Sequence, residues 1–296
     1  ITGGHPGALN PKVANLIPAY AAATFDLVLQ TDANVMLPLD FLSVNVARMI
    51  ETKANLVSAL VAGAGEQSVG AALDNLQLNT YTAPAACFAR VCAGKPCVIG
   101  KSLLLRRSEL AQCGGMVGLG DVLAEDYVLG ERYAAAGKKT ILAHGPVTNI
   151  NRTRDLRDYL SRHARWYKMH AVTHPLSFAA ALLVHPVLVT SAAAFALPGT
   201  WVWATLLALA VKSAGDAVLV GRMRRTPLPM RHIPLVALRE VLSLLLWFYA
   251  LGSRRVHWRG RVLDIGPGTR LTVSGGYEPP TPVPLGPVAS PSRRAA

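Results

Sequence analysis

The strongest constraint on this chain is a stretch of 43 residues, 169–211, that contains no Asp, Glu, Lys or Arg. One helix needs about 20 apolar residues to cross the hydrocarbon core of a bilayer, so the stretch has room for two. A Pro-Gly pair at 198–199 can form the turn between them. We therefore predict spanning helices over residues 171–197 and 200–220.

The positive charge of the chain is concentrated in the same half. Residues 1–150 carry 11 basic and 11 acidic side chains, whereas residues 151–296 carry 19 and 6, which accounts for the net charge of +13. Loops beside apolar spans gather Arg on the cytoplasmic side, and four Arg residues lie between positions 222 and 232. We expect this loop to be cytoplasmic and the partner to be a membrane. Nucleic acid is excluded, because its binders carry their charge on a polar folded face.

Two further segments adjoin the predicted spans. Residues 151–170 form a basic helix with apolar and aromatic positions on one face, which is typical of a helix at the bilayer surface. Residues 233–252 are apolar but are interrupted by Arg239 and Glu240, which leaves 12 uncharged residues and indicates a re-entrant or interfacial helix. Together, residues 171–252 form the predicted membrane region. Residues 253–296 are predicted to be a basic cytosolic tail with a disordered, Pro-rich and Ser-rich end.

Residues 1–150 instead alternate between short apolar runs and helical patterns. Strands are predicted at 25–30, 54–62, 97–105 and 140–144, and helices at 13–23, 39–51, 67–81 and 125–136. This alternation predicts an α/β domain with a doubly wound sheet. In such sheets ligands bind outside the carboxyl ends of the strands.

Three groups of residues are candidates for chemistry. Asp32 follows the first predicted strand, where a carboxylate can hold Mg²⁺ or Mn²⁺ on a diphosphate, although Asp is also common in ordinary turns. Glu125 and Asp126 open a predicted helix, where they can favour the helix dipole or supply a general base. Both interpretations of each position remain open on spacing alone.

The third group lies on the basic helix. Arg162 and Arg165 place two cations on one face, beside Trp166. This arrangement fits an interfacial anchor with snorkelling arginines, and it equally fits cations that stabilise a leaving diphosphate. The segment 94–102 fails the P-loop spacing, and His170 with His174 lacks a carboxylate partner, so we predict neither an ATPase nor a zinc site.

Taken together, these residues resemble the ceramide glucosyltransferase family, membrane-bound family 2-type glycosyltransferases with a GT-A (Rossmann-like) fold. The resemblance covers nearly the whole chain, and the order and spacing of its motifs are more specific than any one of them. The motifs are Gly3-Gly4, Asn10-Pro11-Lys12-Val13, Asn15-Leu16, Pro18, Tyr20, Asp26-Leu27, Asp32, Gly100, Ser102, Gly114-Gly115, Ala124-Glu125-Asp126-Tyr127, Arg162, Arg165, Trp166, Arg239-Glu240 and Trp258-Arg259.

The resemblance implies an inverting transfer of glucose from UDP-glucose to the primary hydroxyl of ceramide at the cytosolic membrane face. It makes Asp126 the general base and Asp32 the aspartate that holds the donor and a Mg²⁺ or Mn²⁺ ion. It assigns Arg162, Arg165 and Trp166 to the donor diphosphate. It also makes Glu125 and Trp166 candidates for binding the acceptor.

Composition and the motif pattern widen the range of acceptors and activities. The Ala-rich and Arg-rich composition favours a bacterial source. We therefore expect a bacterial inner membrane rather than the Golgi or ER, and hopanoid-like lipids as possible acceptors beside ceramide.

The sequence departs from the family pattern in two places. The second acidic position of the family's Asp-x-Asp motif is Asn34 here. Family members also carry an earlier membrane helix and a nucleotide-binding segment, so we expect the N-terminal part to be missing from this sequence. A processive polysaccharide synthase and an inactive membrane scaffold are the alternatives.

Overall fold

The computed structural model describes residues 4–183, 185–196, 199 and 201–274. An α/β half is followed by a helical region and a small sheet, which confirms the predicted class. The α/β half contains α1 (Pro11–Ala22), β1 (Leu27–Thr31), β2 (Val35–Met36), α2 (Phe41–Glu51), β3 (Leu56–Ser58), β4 (Val61–Ala64), α3 (Val69–Gln77), α4 (Ala83–Val91), β5 (Ser102–Arg106), α5 (Arg107–Gln112), α6 (Glu125–Ala135), β6 (Thr140–Leu142) and β7 (Val147–Ile150).

The remaining elements form the second half of the chain. They are α7 (Leu156–Thr173), α8 (Pro175–Ala180), α9 (Pro186–Ala196), α10 (Trp201–Arg224), α11 (Ile233–Leu251), β8 (Arg255–Trp258), β9 (Arg261–Ile265) and β10 (Leu271–Val273). Gly3 of the first motif, Pro198 of the predicted turn and the predicted disordered end, residues 275–296, lie outside the described residues.

The central sheet has the strand order β1-β5-β3-β6 and is mixed rather than doubly wound and parallel. Only β3 and β6 pair in parallel, while β5 runs antiparallel to both of its neighbours. The chain returns from α4 to the edge of the sheet where β3 ends, and there the N–H of Ile99 donates to the hydroxyl of Ser58 (2.8 Å). Because β5 starts at the edge where β3 finishes, it must run in the opposite direction.

The single strand predicted over residues 54–62 is two strands in two sheets. β3 belongs to the central sheet, whereas β4 joins a second sheet of order β2-β7-β4. All three residues of β3 and the first three of β4 are buried. Ser58, at the end of β3, is buried like its apolar neighbours, so no alternation of exposed and buried positions marks the bend, and hydrophobic periodicity could not reveal the change of sheet.

The main core fixes α1 and α6 against β5. It contains Val13 from α1, Leu105 from β5, and Leu129 and Tyr133 from α6, each at most 1% exposed. Asn10 caps α1 by accepting from the backbone N–H of Lys12 and of Val13. This packing brings the N-terminal ends of α1 and α6 to the same edge of the central sheet.

The helical region is more broken than the sequence predicts. Residues 171–197, predicted as one span, contain the end of α7 followed by the short helices α8 and α9. Each short helix begins at a proline, Pro175 or Pro186, because proline fits the first turn of a helix but cannot continue one. Among the described residues, two helical stretches are long and apolar enough to cross a membrane, Trp201–Arg224 and Met230–Leu251.

The first half of α11 and the sheet that follows the helix both contact the α/β half. Near its middle, Arg239 donates to the hydroxyl of Thr80, in the π-helical turn between α3 and α4. After α11 the chain continues into β8, whose sheet packs against Leu123. An interfacial or re-entrant helix requires both of its ends on one side of the membrane. The placement of α11 and the boundaries of the domains nevertheless stay predictions.

The segment predicted as a tail contains a three-stranded sheet, β10-β9-β8. Leu263 and Ile265 of β9 pack with Leu123. The carbonyl of Thr269 accepts from the N–H of Leu123 (2.9 Å), and its hydroxyl accepts from the N–H of Ala124 (3.2 Å). This sheet therefore supports the two residues that precede Glu125.

A sequence signal for this sheet exists but is easily missed. Arg259 and Gly260 both have positive φ and form a two-residue hairpin loop, with Trp258 opposite Arg261. An X-Gly pair between alternating apolar positions is a typical hairpin signal. Here the surrounding arginines masked it, because they suggested a basic tail.

Candidate active site

Asp32 lies at the edge of the central sheet, as its position after the first strand predicts. β1 ends and β5 begins at this edge, with Thr31 opposite Ser102. The N–H of Asp32 donates to the carbonyl of Lys101 (3.1 Å), and its Oδ2 lies 2.8 Å from Lys101 Nζ. The Asp32 side chain is 28% exposed, so it remains accessible to a ligand.

Glu125 and Asp126 reach the same edge from the first turn of α6. The N–H of Gly100 donates to Asp126 Oδ2 (2.7 Å), and Lys12 Nζ lies 2.7 Å from Glu125 Oε1. Lys12 Nζ also donates to the carbonyl of Gly100 (2.8 Å) and lies 3.8 Å from Asp32 Oδ1. The structure thus gathers the three predicted carboxylates around one ammonium group and one glycine.

Lys12 is the residue whose importance the sequence analysis missed. Burial lowers the pKa of its ammonium group, but Glu125, Asp126 and Asp32 more than offset burial, so the pKa ends above its usual value. One signal was available, because Lys12 lies in the first turn of α1, where the helix dipole disfavours a cation. A lysine placed there indicates a carboxylate partner.

Glu125 is the most enclosed of the three carboxylates. Burial raises its pKa, and the charge of Lys12 opposes that shift. Its second oxygen accepts from Asn10 Nδ2 (3.3 Å). These contacts favour a role in holding Lys12 over the acceptor contact predicted for Glu125.

Gly100 has no room for a side chain. A Cβ at this position would lie 2.6 Å from Lys12 Nζ and 3.1 Å from Asp126 Oδ2. Any other residue would push the lysine or the aspartate out of place. The glycine of the Gly-x-Ser motif therefore permits the close approach of α1 and α6.

The Arg-x-x-Arg-Trp motif lies on α7, and its two arginines stack on different rings. The guanidinium of Arg162 lies 4.5 Å from the ring centroid of Trp166, and that of Arg165 lies 4.7 Å from the centroid of Trp258. Burial lowers the pKa of Arg162, and the charges of Asp74 and Asp32 oppose this. Burial, followed by repulsion from Arg162, lowers the pKa of Arg165 to about 10.

The motif faces the carboxylates without bonding to them. Throughout the described ranges, neither Arg162 nor Arg165 forms an ion pair with Asp32, Glu125 or Asp126. The charge of Arg162 acts on Asp32 and on Lys101, and that of Arg165 acts on Glu125. An anion such as a diphosphate, bound next to these groups, would meet the positive charge of Lys12, Lys101 and both arginines.

A divalent cation at this edge of the sheet would find Asp32 as a protein ligand rather than a cage of several side chains. Asp32 offers the hard oxygen that Mg²⁺ and Mn²⁺ prefer, but Lys101 and Lys12 approach its two oxygens. Asn34, in the second position, accepts from Lys101 Nζ (3.3 Å). In the part of the chain that the structure describes, no three His, Cys, Asp or Glu side chains group closely enough to hold a metal ion. Asp32 therefore fits a cation held mainly by the oxygens of a bound ligand.

We expect the stability of the protein to fall as the pH drops below about 6.5. Burial lowers the pKa of His163 from its ordinary value of 6.5, and burial lowers that of His170 to about 4. Below 6.5 the unfolded chain binds protons that the folded chain rejects, so acid favours unfolding by up to about 1.4 kcal/mol per pH unit and group.

The measurement is the thermal midpoint between pH 8 and pH 5 for the wild type and for His163→Gln. The thermal midpoint of the variant should fall less steeply with decreasing pH, and the decline that is left should come from His170. Equal slopes in the two proteins would contradict the contribution of His163.

Known proteins resemble this chain over most of its length. Residues 1–271 match the family model described as glycosyl transferase family 21. The chain is 25% identical over 281 residues to ceramide glucosyltransferase 3 of Caenorhabditis elegans, covering 91% of this chain and 60% of that protein. It is 30% identical over 173 residues to ceramide glucosyltransferase 1 of the same organism, covering 58% and 37%. The chain thus spans less than two thirds of the length of each relative.

Among solved structures, one match is a mannosyltransferase from Pyrobaculum calidifontis in complex with GDP-mannose and Mn²⁺. It shares 20% sequence identity with this chain, and the match covers 80% of this chain and 64% of that protein with a TM-score of 0.38.

Proposed function

The chain belongs to glycosyl transferase family 21, and on that basis we propose that it transfers glucose from UDP-glucose to the primary hydroxyl of ceramide or of a similar membrane lipid. The observation that carries the proposal is the pair of facing groups at the sheet edge. Three carboxylates lie around Lys12, and the arginines of α7 interact electrostatically with two of them, Asp32 and Glu125. The carboxylates suit proton removal, and the cations suit a diphosphate.

Asp126 acts as the general base. Its Oδ2 accepts from the N–H of Gly100 (2.7 Å) and its Oδ1 from the N–H of Tyr127 (2.8 Å), which holds the carboxylate in one orientation. The lipid hydroxyl oxygen forms a bond to C1 of glucose while its proton moves to Asp126. The bond from C1 to the diphosphate oxygen breaks, its electron pair leaves with UDP, and the configuration at C1 inverts.

The cations of the site stabilise the leaving diphosphate. Lys12 approaches from α1, Lys101 from the turn before β5, and Arg162 and Arg165 from α7. Charges that are already in place need no reorganisation as negative charge develops, so they lower the barrier. Asp32 would hold a Mg²⁺ or Mn²⁺ ion bound with the donor, and such an ion would supply further positive charge at the leaving diphosphate.

The acceptor is a lipid because the site helix α7 adjoins the apolar helices α8 and α11. Its C-terminal end continues directly into α8, and α10 and α11 are the two stretches long and apolar enough to cross a membrane. The Arg-rich loop after α10 supports a cytoplasmic position for the α/β half. We favour a bacterial inner membrane over the Golgi or ER, with hopanoid-like lipids as alternative acceptors.

The test uses membranes from cells that express the gene, supplied with UDP-glucose, ceramide and Mn²⁺, with the product lipids read by mass spectrometry. A hexosylceramide is the expected product. A glycosylated endogenous lipid would replace ceramide as the acceptor, and a glucose polymer would indicate a processive synthase. Absence of any transfer with several nucleotide sugars would overturn the proposal and favour a scaffold.

Removal of divalent cations should reduce transfer at least tenfold. Among the described residues no three His, Cys, Asp or Glu side chains form a cage, so an ion on Asp32 would depend on the donor and should exchange readily with chelator. The rate should return when Mn²⁺ or Mg²⁺ is added, and Asp32→Asn should raise the metal concentration needed for half of the maximal rate. If the chelator left the rate unchanged, Lys12 and Lys101 would instead be the groups that neutralise the charge of the diphosphate.

A further inference from the structure

A second buried carboxylate, Asp74 on α3, lies directly behind the Arg-x-x-Arg-Trp motif. Its side chain is 0% exposed. Its Oδ1 lies 2.8 Å from His163 Nε2 and 3.5 Å from Arg162 Nε. Its Oδ2 accepts from Asn151 Nδ2 (2.8 Å) and lies 3.4 Å from Arg154 Nε. One carboxylate thus meets two consecutive residues of α7 and two residues of the segment that leads into it.

Two of the residues that contact Asp74, His163 and Arg162, also contact Trp166. The ring of His163 meets Trp166 edge-to-face, with centroids 5.0 Å apart, and Arg162 stacks over the Trp166 ring. His163 is 1% exposed, so packing restrains its ring. A displacement of Asp74 would therefore change the orientation of both the arginine and the tryptophan.

Close packing between the start of α3 and the entry to α7 holds Asp74 at a fixed distance from α7. The hydroxyl of Ser68, the N-cap of α3, donates to the carbonyl of Arg154 (2.7 Å). A Cβ on Gly70 would lie 2.5 Å from the carbonyl oxygens of Arg154 and Asp155. The start of α3 and the entry to α7 are therefore in close contact, which is the geometry that a precise side-chain support needs.

The Asp74 carboxylate stays charged in this position. Burial alone would raise its pKa, but the hydrogen bond from His163 and the charges of Arg162 and Arg154 lower it below its usual range. A buried carboxylate without such partners would be strongly destabilising. Arg154 and Arg162 both pair with this one aspartate, so the three side chains together carry a net positive charge.

We propose that Asp74 is a positioning residue that sets the orientation of Arg162 and Trp166 for glycosyl transfer, an inference that rests on the proposed function above. Asp74 touches neither donor nor acceptor. Its effect passes through the arginine that faces the diphosphate and through the ring beneath that arginine.

Charge and geometry predict opposite effects for Asp74→Asn, which makes the role testable. Loss of the negative charge leaves Arg154 and Arg162 without compensation, so UDP should bind as tightly as before or more tightly. Loss of the fixed geometry should lower kcat by about 10- to 100-fold, because small misplacements of a charged group cost that much. A residue that only stabilises the fold would lower the thermal midpoint and leave kcat unchanged in the folded fraction.

The experiment compares kcat, donor KM and the affinity for UDP in the purified full-length protein for Asp74→Asn, Asp74→Glu and Glu66→Gln. Glu66 is the control: its side chain is 5% exposed, pairs with Arg224 (2.9 Å) and contacts neither Arg162 nor His163. It accepts from Asn75 Nδ2 (2.7 Å), which shares Asn151 with Asp74, and glutamine can still accept that bond. We expect the slow kcat only at position 74, with partial recovery in Asp74→Glu. A kcat within twofold of wild type in folded Asp74→Asn would overturn the proposal.

A readout without turnover separates this proposal from the proposed function. The chain has five tryptophans, and fluorotryptophan labelling gives one ¹⁹F resonance for each, with Trp166 assigned through Trp166→Phe. Asp74→Asn should shift the Trp166 resonance, and Glu66→Gln should leave it in place. If the wild type transfers no sugar, the proposed function fails while this shift still tests Asp74. An unmoved Trp166 resonance would refute the positioning role.

Discussion

Replacement of Asp126 by asparagine is expected to lower glycosyl transfer by about 10³-fold while the protein remains folded. A positioned general base contributes roughly 10²- to 10⁴-fold to such reactions, and an amide cannot take the proton of the attacking hydroxyl. The fold should survive, because the amide oxygen of asparagine can still accept the hydrogen bond that the N–H of Gly100 now donates to Asp126. The loss should appear in kcat rather than in the affinity for UDP.

The matched control for this prediction is Asp121→Asn, five residues upstream. Asp121 is exposed, and its Oδ1 accepts from the N–H of Leu9 (3.0 Å), a bond that asparagine can also accept. We expect this variant to transfer sugar within twofold of the wild-type rate. Should Asp126→Asn retain more than a tenth of the wild-type rate, another group must take the proton, and Asp32 or Glu125 would be the next to replace.

Replacement of Lys12 by methionine should both destabilise the protein and stop transfer. Removal of one partner from an enclosed ion pair leaves an uncompensated charge and costs about 3 kcal/mol. For a chain of this size that corresponds to a fall of roughly 5–10 °C in the thermal midpoint. Transfer should fall because the ammonium group between Asp32 and Glu125 no longer faces the diphosphate.

The double variant Lys12→Met/Glu125→Gln separates the two effects. With the charge of Glu125 removed as well, most of the lost stability should return, because no unpaired carboxylate remains at this position. The rate should stay low, since the cation is still missing. If the double variant recovered both stability and rate, Lys12 would serve only to neutralise Glu125.

Local patterns predicted the elements near the site closely. The helices predicted at 13–23, 39–51 and 125–136 correspond to α1, α2 and α6, and the strand predicted at 25–30 corresponds to β1. These elements carry strong local signals, such as the Asn10-Pro11 start of α1 and the apolar run of β1. Asp32 was placed at the sheet edge for the same reason, because a residue that follows a strand must lie there.

Motif order identified the family, but it did not reveal how the motif residues contact each other. The Asn10-Pro11-Lys12 motif is part of the family resemblance, but the sequence predicted no function for these residues. The ion pair of Lys12 with Glu125 joins residues more than 100 positions apart, and it depends on Gly100 admitting both helices to one point. No local pattern records such a close approach, because it depends on the packing of α1 and α6 against the sheet.

The sequence by itself determined the α/β class, the apolar second half and the family, since these follow from periodicity, composition and motif order. Tertiary structure alone decided the direction of β5, the division of residues 54–62 between two sheets, and the sheet of β8–β10 that supports Leu123 and Ala124. It also decided that Asp74 lies behind Arg162. The physical reason is common to all four: each depends on contacts between segments distant in sequence, whose energies exist only once the chain has packed.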